Sequence, residues 1–281
     1  MLRDSKIAFI FLEVASLPEA RAFYEDVLGL PVVENQFNPP HHRHGIVKYD
    51  AGDTILALNL ADRSFNPDAH EPIQTCFSGG ARREATVYAE LQIRGFHAPA
   101  SAGAEFKDRD GHRFSIRRAE TYALWRGMDD LGLEEIAYEV DSIDRSIVFY
   151  EKQLGLMRAD SSGPDDVRFS TGNVRVRLLE SVAGAPARHN TLLTVFYTPD
   201  VKRAASALEA RGIAFPHPVR FSDIGGTVRF TDPSGHQFCL YQPSPLSLSW
   251  DSGLKLQEIM TRNIPAVARS GITGLLSKWV V

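Results

Sequence analysis

Three things are scarce in this sequence of 281 residues, and each scarcity excludes a class of protein. Cys76 and Cys239 are its only cysteines, which excludes a disulfide-stapled scaffold and suits a reducing compartment. No run of Lys or Arg occurs, and the net charge of -4 argues against a nucleic-acid partner, because binding phosphates needs a basic surface. Long apolar runs are missing too: residues 7–14 are too short to cross a membrane and lack a cleavage-site pattern, and residues 264–281 contain charges. The sequence therefore predicts a cytoplasmic protein with neither a nucleic-acid nor a membrane partner.

What the sequence does contain is a duplication. The segment 23–30, FYEDVLGL, returns at 149–156 as FYEKQLGL. The segment 106–114, FKDRDGHRF, returns at 230–238 as FTDPSGHQF, in the same order and at nearly the same offset. Two unrelated phrases that recur in this way indicate a tandem repeat. Function must then be sought in what the two halves do differently.

Each half divides again into two similar units. Residues 7–14 are rich in Ile and Phe, which favours a strand, and Ser16 begins a helix-capping pattern that Gly29 closes. Three short strands are predicted to follow, so that the unit reads β-α-β-β-β. The same pattern starts again near residues 73, 136 and 192. We therefore predict an α+β fold built from four tandem βαβββ modules.

The phrases at 108–112 and 232–236, DRDGH and DPSGH, have the composition of turns that join the last two strands of the second and fourth units. Gly111 and Gly235 supply the positive φ that such turns need. The aspartates and histidines of both phrases are interpreted as turn and strand-start residues.

A strand, a capped helix ending in F-Y-x-x-x-L-G-L and a later D-P-x-G-x-x-F phrase together resemble the vicinal oxygen chelate superfamily. This family contains glyoxalase I, extradiol ring-cleaving dioxygenases, fosfomycin-resistance proteins and bleomycin-binding proteins, and the resemblance covers about residues 5–245. It implies two domains, each with two modules whose curled mixed sheets surround a cavity. The implied division is residues 1–120 with a degenerate site, a linker at 121–132, residues 133–245 with the active cavity, and a helical extension at 246–281.

The resemblance also implies a divalent metal (Fe, Mn, Ni or Zn), held by His, Gln or Glu on facing strands. At the family's first-strand position the second half has Glu135, whereas the first half has Phe9. The other matching positions of the second half are Leu193, Cys239 and, approximately, Arg177. Because no familiar set of three ligands survives, we predict no metal of the family type, and a nonstandard metal site is the alternative.

Three histidines, His41, His42 and His44, follow Pro39-Pro40. Adjacent side chains diverge on an extended chain, so the segment is predicted to be a solvated or cavity-rim loop rather than a metal site.

Strand alternation predicts a polar cavity in the second half. Its expected catalytic residues are Glu135, Glu139 and Tyr241, and its expected ligand-binding residues are Arg175, Arg177, Leu193, Tyr197 and Cys239. The arginines could bind a carboxylate or enolate in a fork, or else pair with the two glutamates as the remnant of a lost site. In the first half, Phe9 and Phe11 fill the cleft face, as packing or as an aromatic lid for a flat apolar ligand.

Three functions are compatible with this cavity. The first is an enzyme of the dioxygenase, lyase or isomerase type that performs metal-free acid–base chemistry on an enolisable group of a small polar or aromatic substrate. The second is a binding or resistance protein that sequesters a small molecule, and the third is a scaffold with vestigial cavities. A metal-dependent dioxygenase or lyase with nonstandard ligands is a further alternative, and the chain is expected to be a monomer or homodimer.

The extension after residue 245 has Leu254, Leu256, Ile259 and Met260 at amphipathic helical spacing. It is predicted to cap a sheet of the same chain, and docking to a partner is the alternative.

Overall fold

The computed structural model of the chain describes residues 2, 5–36, 45–61, 70–96, 103–118, 130–159, 166–181 and 191–262. The histidines at 41, 42 and 44, residues 121–129 of the predicted linker and residues 263–281 of the extension lie outside this description. None of the described helices is long and apolar enough to span a membrane.

The first half of the chain folds as two successive units, each with one helical segment among its strands. The first unit consists of β1 (Ile7–Val14), α1 (Leu17–Arg21) continued by a π-helical turn (Ala22–Val27), β2 (Val32–Asn35), β3 (Ile46–Asp50) and β4 (Ile55–Leu60). The described part of the second unit consists of β5 (Ile73–Gly79), α2 (Ala81–Ile93), β6 (Glu105–Lys107) and β7 (Arg113–Arg118).

The second half repeats the pattern and adds two helices. The third unit consists of β8 (Gly132–Val140), α3 (Ile143–Ile147) continued by a π-helical turn (Val148–Gln153), β9 (Met157–Arg158), β10 (Val167–Ser170) and β11 (Arg175–Glu180). The fourth consists of β12 (Leu192–Tyr197), α4 (Val201–Glu209), β13 (Arg220–Ser222), β14 (Gly225–Thr231) and β15 (Gln237–Pro243), and α5 (Pro245–Leu248) and α6 (Asp251–Thr261) follow it. The predicted α+β fold of tandem βαβββ modules is confirmed.

Local signals explain where two of the helices begin and where the final hairpins of units two and four turn. The Ser142 side chain accepts a hydrogen bond from the backbone of Arg145 and starts α3, and Asp200 does the same for α4. Gly111 and Gly235 have φ of 86° and 88°, as the two turn phrases predict.

The strands form two mixed sheets. The eight-stranded sheet has the order β13-β14-β15-β12-β1-β4-β3-β2, and the seven-stranded sheet has the order β6-β7-β5-β8-β11-β10-β9. In the first sheet β1 runs antiparallel to β12, with Phe9 opposite Val195. In the second sheet β5 runs antiparallel to β8, with Cys76 opposite Glu135. Each sheet therefore joins the first strands of two units, one from each half of the chain.

This pairing corrects the expectation that the third and fourth units share one cavity. Unit one pairs with unit four, and unit two pairs with unit three. The first strand of every unit is similarly apolar and has an edge that must pair with another strand. The local sequence pattern therefore indicates that a partner strand is needed, but it does not indicate which unit provides that strand.

The main core lies between the sheets and the helices packed on them. Ile10 and Leu12 of β1 point into it, whereas Phe9 points to the opposite face of the sheet. A second, smaller cluster forms on that opposite face, between the eight-stranded sheet and α6. Its buried members are Ala8, Phe9, Ile55, Val195, Cys239, Tyr241, Leu256 and Ile259.

Candidate functional site: an aromatic cavity under the C-terminal helices

A cavity of about 380 Å³ lies on the face of the eight-stranded sheet that carries the smaller cluster. Its floor comes from units one and four, because β1 and β12 lie side by side at the centre of the sheet. Apolar side chains dominate the wall: Phe9, Phe11, Leu193, Val195, Cys239, Tyr241, Trp250 and Leu256. A cavity of this size with mostly apolar walls is typical of small-molecule sites.

The C-terminal extension forms the roof of this cavity. Leu256 and Ile259 of α6 are 2% and 1% exposed, and both pack in the smaller cluster. The Lys6 ammonium donates hydrogen bonds to the carbonyl oxygens of Ile259, at 2.5 Å, and Arg262, at 3.0 Å. These carbonyls lie at the C-terminal end of α6, where the helix dipole favours a cation. Residues 251–262 thus cap a sheet of their own chain. Of the predicted apolar face, Leu256, Ile259 and Met260 pack in or against the smaller cluster, whereas Leu254 is 57% exposed.

Lys48 of β3 links the floor to the roof. Its ammonium lies 2.9 Å from a carboxylate oxygen of Glu34 and 2.9 Å from the Ser252 hydroxyl, and about 6 Å from the ring centres of Phe9 (5.9 Å) and Trp250 (5.7 Å). Burial alone would raise the pKa of Glu34, but hydrogen bonds from Ser252 and Lys48 outweigh burial and lower it. The Lys48 charge is therefore neutralised by a protein carboxylate.

Cys239 and Tyr241, two of the predicted site residues, lie in this cavity with Leu193. Burial raises the pKa of the Cys239 thiol to about 11, which keeps it protonated at neutral pH. The Tyr241 hydroxyl lies 2.9 Å from both the carbonyl oxygen of Ile224 and the hydroxyl of Ser247, and burial raises its pKa. Neither group is prepared for proton transfer near neutral pH.

Tyr197, the remaining predicted residue of unit four, is partly buried and packs against the same cluster without lining the cavity.

Glu135, Arg175 and Arg177 lie on the other sheet, which corrects their expected place beside Leu193, Tyr197, Cys239 and Tyr241. Glu135 stands opposite Arg175 in the ladder of β8 and β11 and is only 1% exposed. The shortest approaches between its carboxylate oxygens and arginine nitrogens are 3.3 Å to Arg168, 3.4 Å to Arg117, 3.7 Å to Arg175 and 4.0 Å to Arg177. Glu135 thus lies within ion-pair distance of both arginines, as in the alternative of a salt-bridged remnant.

Two further acids complete this cluster. Arg175 also pairs with Glu134, and Arg177 lies 2.7 Å from Asp166. The described members therefore carry four positive and three negative charges, in a region where the arginine side chains are about one fifth to one third exposed.

Glu139 pairs with different residues from those expected. Its carboxylate binds Arg113 of β7 and lies 2.6 Å from His70 Nε2, rather than contacting Arg175 or Arg177. Burial works to raise the pKa of Glu139, but its bonds to His70 and Arg113 lower it. As a stabilised carboxylate it is a weak general base.

The residues at the family's ligand positions do not fit a metal on either sheet. On the eight-stranded sheet these positions hold Phe9, Leu193 and Cys239, and only the thiol among them could donate to a metal. On the seven-stranded sheet the third unit has Glu135 and Arg177 at these positions, and by register the second unit has Gln74 and Ser115 where the fourth has Leu193 and Cys239. Glu135 and Gln74 offer oxygen donors, but Glu135 is paired with arginines, and the Arg177 guanidinium is a cation with no free acceptor lone pair. The donor chemistry therefore disagrees with the metal centre that the family resemblance implies.

Asp108, Asp110 and His112 form the one cluster of metal-binding residue types found in the described part of the chain. One Asp108 oxygen accepts the backbone N–H groups of Asp110 (3.0 Å) and His112 (2.9 Å), and the other lies 2.7 Å from His112 Nδ1 and 3.1 Å from the Tyr24 hydroxyl. Both carboxylate oxygens are thus occupied by the turn itself.

The fourth unit repeats this arrangement with Ser234 at the place of Asp110. Asp232 accepts the backbone N–H groups of Ser234 and His236 and also contacts the side chains of His236 and Tyr150, at 2.8 Å and 3.0 Å. Because the geometry persists without the second aspartate, it is a turn scaffold of the repeat rather than a metal site.

Sequence reasoning missed the polar residues that reach the cavity from β3, β14 and the roof, including Lys48, Thr227, Arg229 and Ser252. Alternation along β14 could have found Thr227 and Arg229, which stand opposite Tyr241 and Cys239, whereas Lys48 on β3 could have been found only if unit one had been paired with unit four.

The fold and the cavity together define a class: an α+β scaffold of paired βαβββ units that encloses a largely apolar cavity. Two solved structures share this fold along almost their whole length. A protein from Bacillus subtilis described as a "putative dioxygenase" is 18% identical, with a TM-score of 0.66 over 95% of this chain and 99% of that chain. Glyoxalase I from Zea mays is 15% identical, with a TM-score of 0.66 over 91% and 95%. At such low identity these likenesses show the fold alone.

The chain belongs to the Glyoxalase/Bleomycin resistance protein/Dioxygenase superfamily, which matches residues 6–116 and 132–240. The resemblance drawn from the repeated motifs is confirmed by this match. Among curated proteins, none matches the chain.

Proposed function

We propose that this chain is a small-molecule binding protein that holds a flat, largely apolar ligand in the cavity beneath α5 and α6. The observation that carries the proposal is the cavity itself: about 380 Å³ in volume, floored by the aromatic rings of Phe9 and Phe11 and roofed by Trp250 and Leu256. Flat rings bind well between such walls, because aromatic contacts add to the free energy of apolar burial.

Binding without turnover is favoured because three of the reactive groups that line this cavity are held in unreactive states. Cys239 is a protonated thiol, and Lys48 is paired with Glu34. Tyr241 has a raised pKa and two hydrogen-bonding neighbours. A general acid or base for neutral pH would instead need a pKa near 7.

The test is calorimetric titration of the full chain with 2-naphthol and 2-naphthamide, followed by recovery of each probe and its identification by mass spectrometry. Leu193→Trp fills the cavity, whereas Leu254→Trp makes the same change on α6 at a side chain that is 57% exposed and lies outside the lining. We expect saturable binding to the native chain and to the Leu254 variant, and at least tenfold weaker binding to the Leu193 variant.

The proposal fails if neither probe binds at millimolar concentration, or if the Leu193 variant binds as well as the native chain. Chemical conversion of a recovered probe would show turnover and replace the binding function with a catalytic one.

A metal-free enzyme on the seven-stranded sheet is the alternative, and one observation favours it. Glu135 occupies the family's ligand position as a buried acid among guanidinium groups, an arrangement that could act on an enolisable substrate. Under this alternative Glu135→Gln abolishes turnover and leaves 2-naphthol binding on the other sheet unchanged.

A further inference from the structure

One side of the cavity carries polar groups for which the described residues provide no partner. Thr227 and Arg229 of β14 and Gln237 of β15 all line the cavity. Within the described part of the chain, none of the three side chains makes a hydrogen bond or a salt bridge. Lys48, by contrast, already has Glu34 and Ser252 as partners.

The register of the sheet brings Arg229 and Gln237 together. Arg229 stands opposite Cys239, and Gln237 lies two residues before Cys239 on the same face of β15. Diagonal neighbours of this kind have Cα atoms roughly 7–8 Å apart, which long side chains span. The positive charge of Arg229 also acts to lower the pKa of the Cys239 thiol, against the larger effect of burial. The Arg229 guanidinium therefore influences a group inside the cavity although its own side chain is exposed.

The acid of the cavity lining stands on the far side. Glu13 lies on β1, and two strands, β12 and β15, separate it from β14. Three strand spacings amount to roughly 14 Å, which is too far for an ion pair with Arg229. The cavity therefore has an aromatic centre and, at its β14 edge, a guanidinium group whose five N–H donors are paired with no other described residue.

We propose that the ligand is an aromatic carboxylate, whose ring lies against Phe9 and whose carboxylate is bound by the Arg229 fork with help from the Gln237 amide. A planar carboxylate matches a guanidinium in a two-point contact, and such charge-assisted bonds are stronger than neutral ones. This inference rests on the proposed binding function and adds the charge of the ligand to it.

Three probes with the same rings separate the charge from the apolar contact: 2-naphthoate, 2-naphthamide and (2-naphthyl)methylammonium. They are titrated into the native chain and into Arg229→Gln, Arg229→Lys and Arg203→Gln, where Arg203 is an exposed residue of α4 outside the lining. We expect the native chain to prefer the carboxylate over the amide by roughly five- to tenfold, because the contact is charge-assisted but partly exposed. The preference should vanish in Arg229→Gln, weaken in Arg229→Lys and persist in Arg203→Gln.

The outcomes are distinguishable. Equal binding of all three probes, a preference for the ammonium, or a carboxylate preference that survives Arg229→Gln would overturn this inference and leave the binding function standing. Failure of every probe to bind the native chain would overturn the binding function and this inference with it.

Discussion

The roof of the cavity should open when Lys6 is replaced by methionine. Lys6 is 9% exposed, and its ammonium donates to the carbonyl oxygens of Ile259, Met260 and Arg262 at the end of α6. Methionine keeps the length and apolar body of the side chain but removes every donor, so the substitution isolates these hydrogen bonds.

The magnitude follows from the hydrogen bonds that methionine cannot donate. Hydrogen bonds to a charged donor contribute about 1.5–3 kcal/mol, and a cation at a helix C-terminus contributes a further few tenths to 1 kcal/mol that overlaps with them. We therefore expect the free energy of opening α6 to fall by about 2–3 kcal/mol. Since each 1.4 kcal/mol is a factor of ten, the open population should rise roughly 30- to 150-fold.

Native-state hydrogen exchange, resolved by residue, is the appropriate assay. Backbone amides of α6 should exchange faster by that factor, whereas amides of β12 at the centre of the sheet should not change. Lys255→Met is the matched control, because Lys255 makes ion pairs with Asp50 and Glu258 at the rim and should contribute less than about 1 kcal/mol. Unchanged exchange in α6, or equal acceleration throughout the protein, would refute the view of α6 as a roof fastened separately by Lys6.

Four further predictions concern the two sheets and the turns. Glu135→Gln should lower the free energy of unfolding by about 2–3 kcal/mol in urea denaturation, because four partly exposed guanidinium groups lose their central counter-charge, whereas Glu134→Gln should cost less than half of that. Burial disfavours the imidazolium of His112, but Asp108 outweighs it and raises the pKa of His112 from its ordinary 6.5 to about 9, so this stabilisation is complete below pH 6.5 and lost as pH rises through 9. His112→Gln should flatten that alkaline loss in thermal melts, and an unchanged profile would contradict the assignment. Cys239 should react with iodoacetamide at pH 8 far more slowly than a free thiol, and faster reaction would contradict its burial. Dialysis against EDTA should leave the melting temperature unchanged, and a drop of several degrees would reveal a metal that the donor sets do not accommodate.

The repeated phrases made the units predictable because their information is local. Capping residues, turn glycines and alternating strands each act within a few residues, so each unit can be recognised wherever it occurs. The same locality explains why Glu135 and Arg175 stand opposite each other: β8 and β11 belong to one unit.

The partner of each unit was not predictable from the same signals. β1 could have paired with β5 as well as with β12, since both are largely apolar first strands that contain a Phe. Cys239 and Tyr241 were therefore predicted to share a cavity with the third unit, whereas their sheet contains the first unit instead. The choice of partner depends on the packing of whole sheets over long sequence distances, which periodicity does not record.

The pairing of the outer units with each other also governs how the chain folds while it is being synthesised. Units two and three are neighbours in the sequence, so the seven-stranded sheet is complete once β11 has emerged from the ribosome. β1 must wait for β12, and until then its open edge exposes backbone groups and the rings of Phe9 and Phe11. Before the fourth unit has been synthesised, the nascent chain thus has a complete seven-stranded sheet and a strand β1 with one unpaired edge. During this period chaperone binding or aggregation would compete with folding.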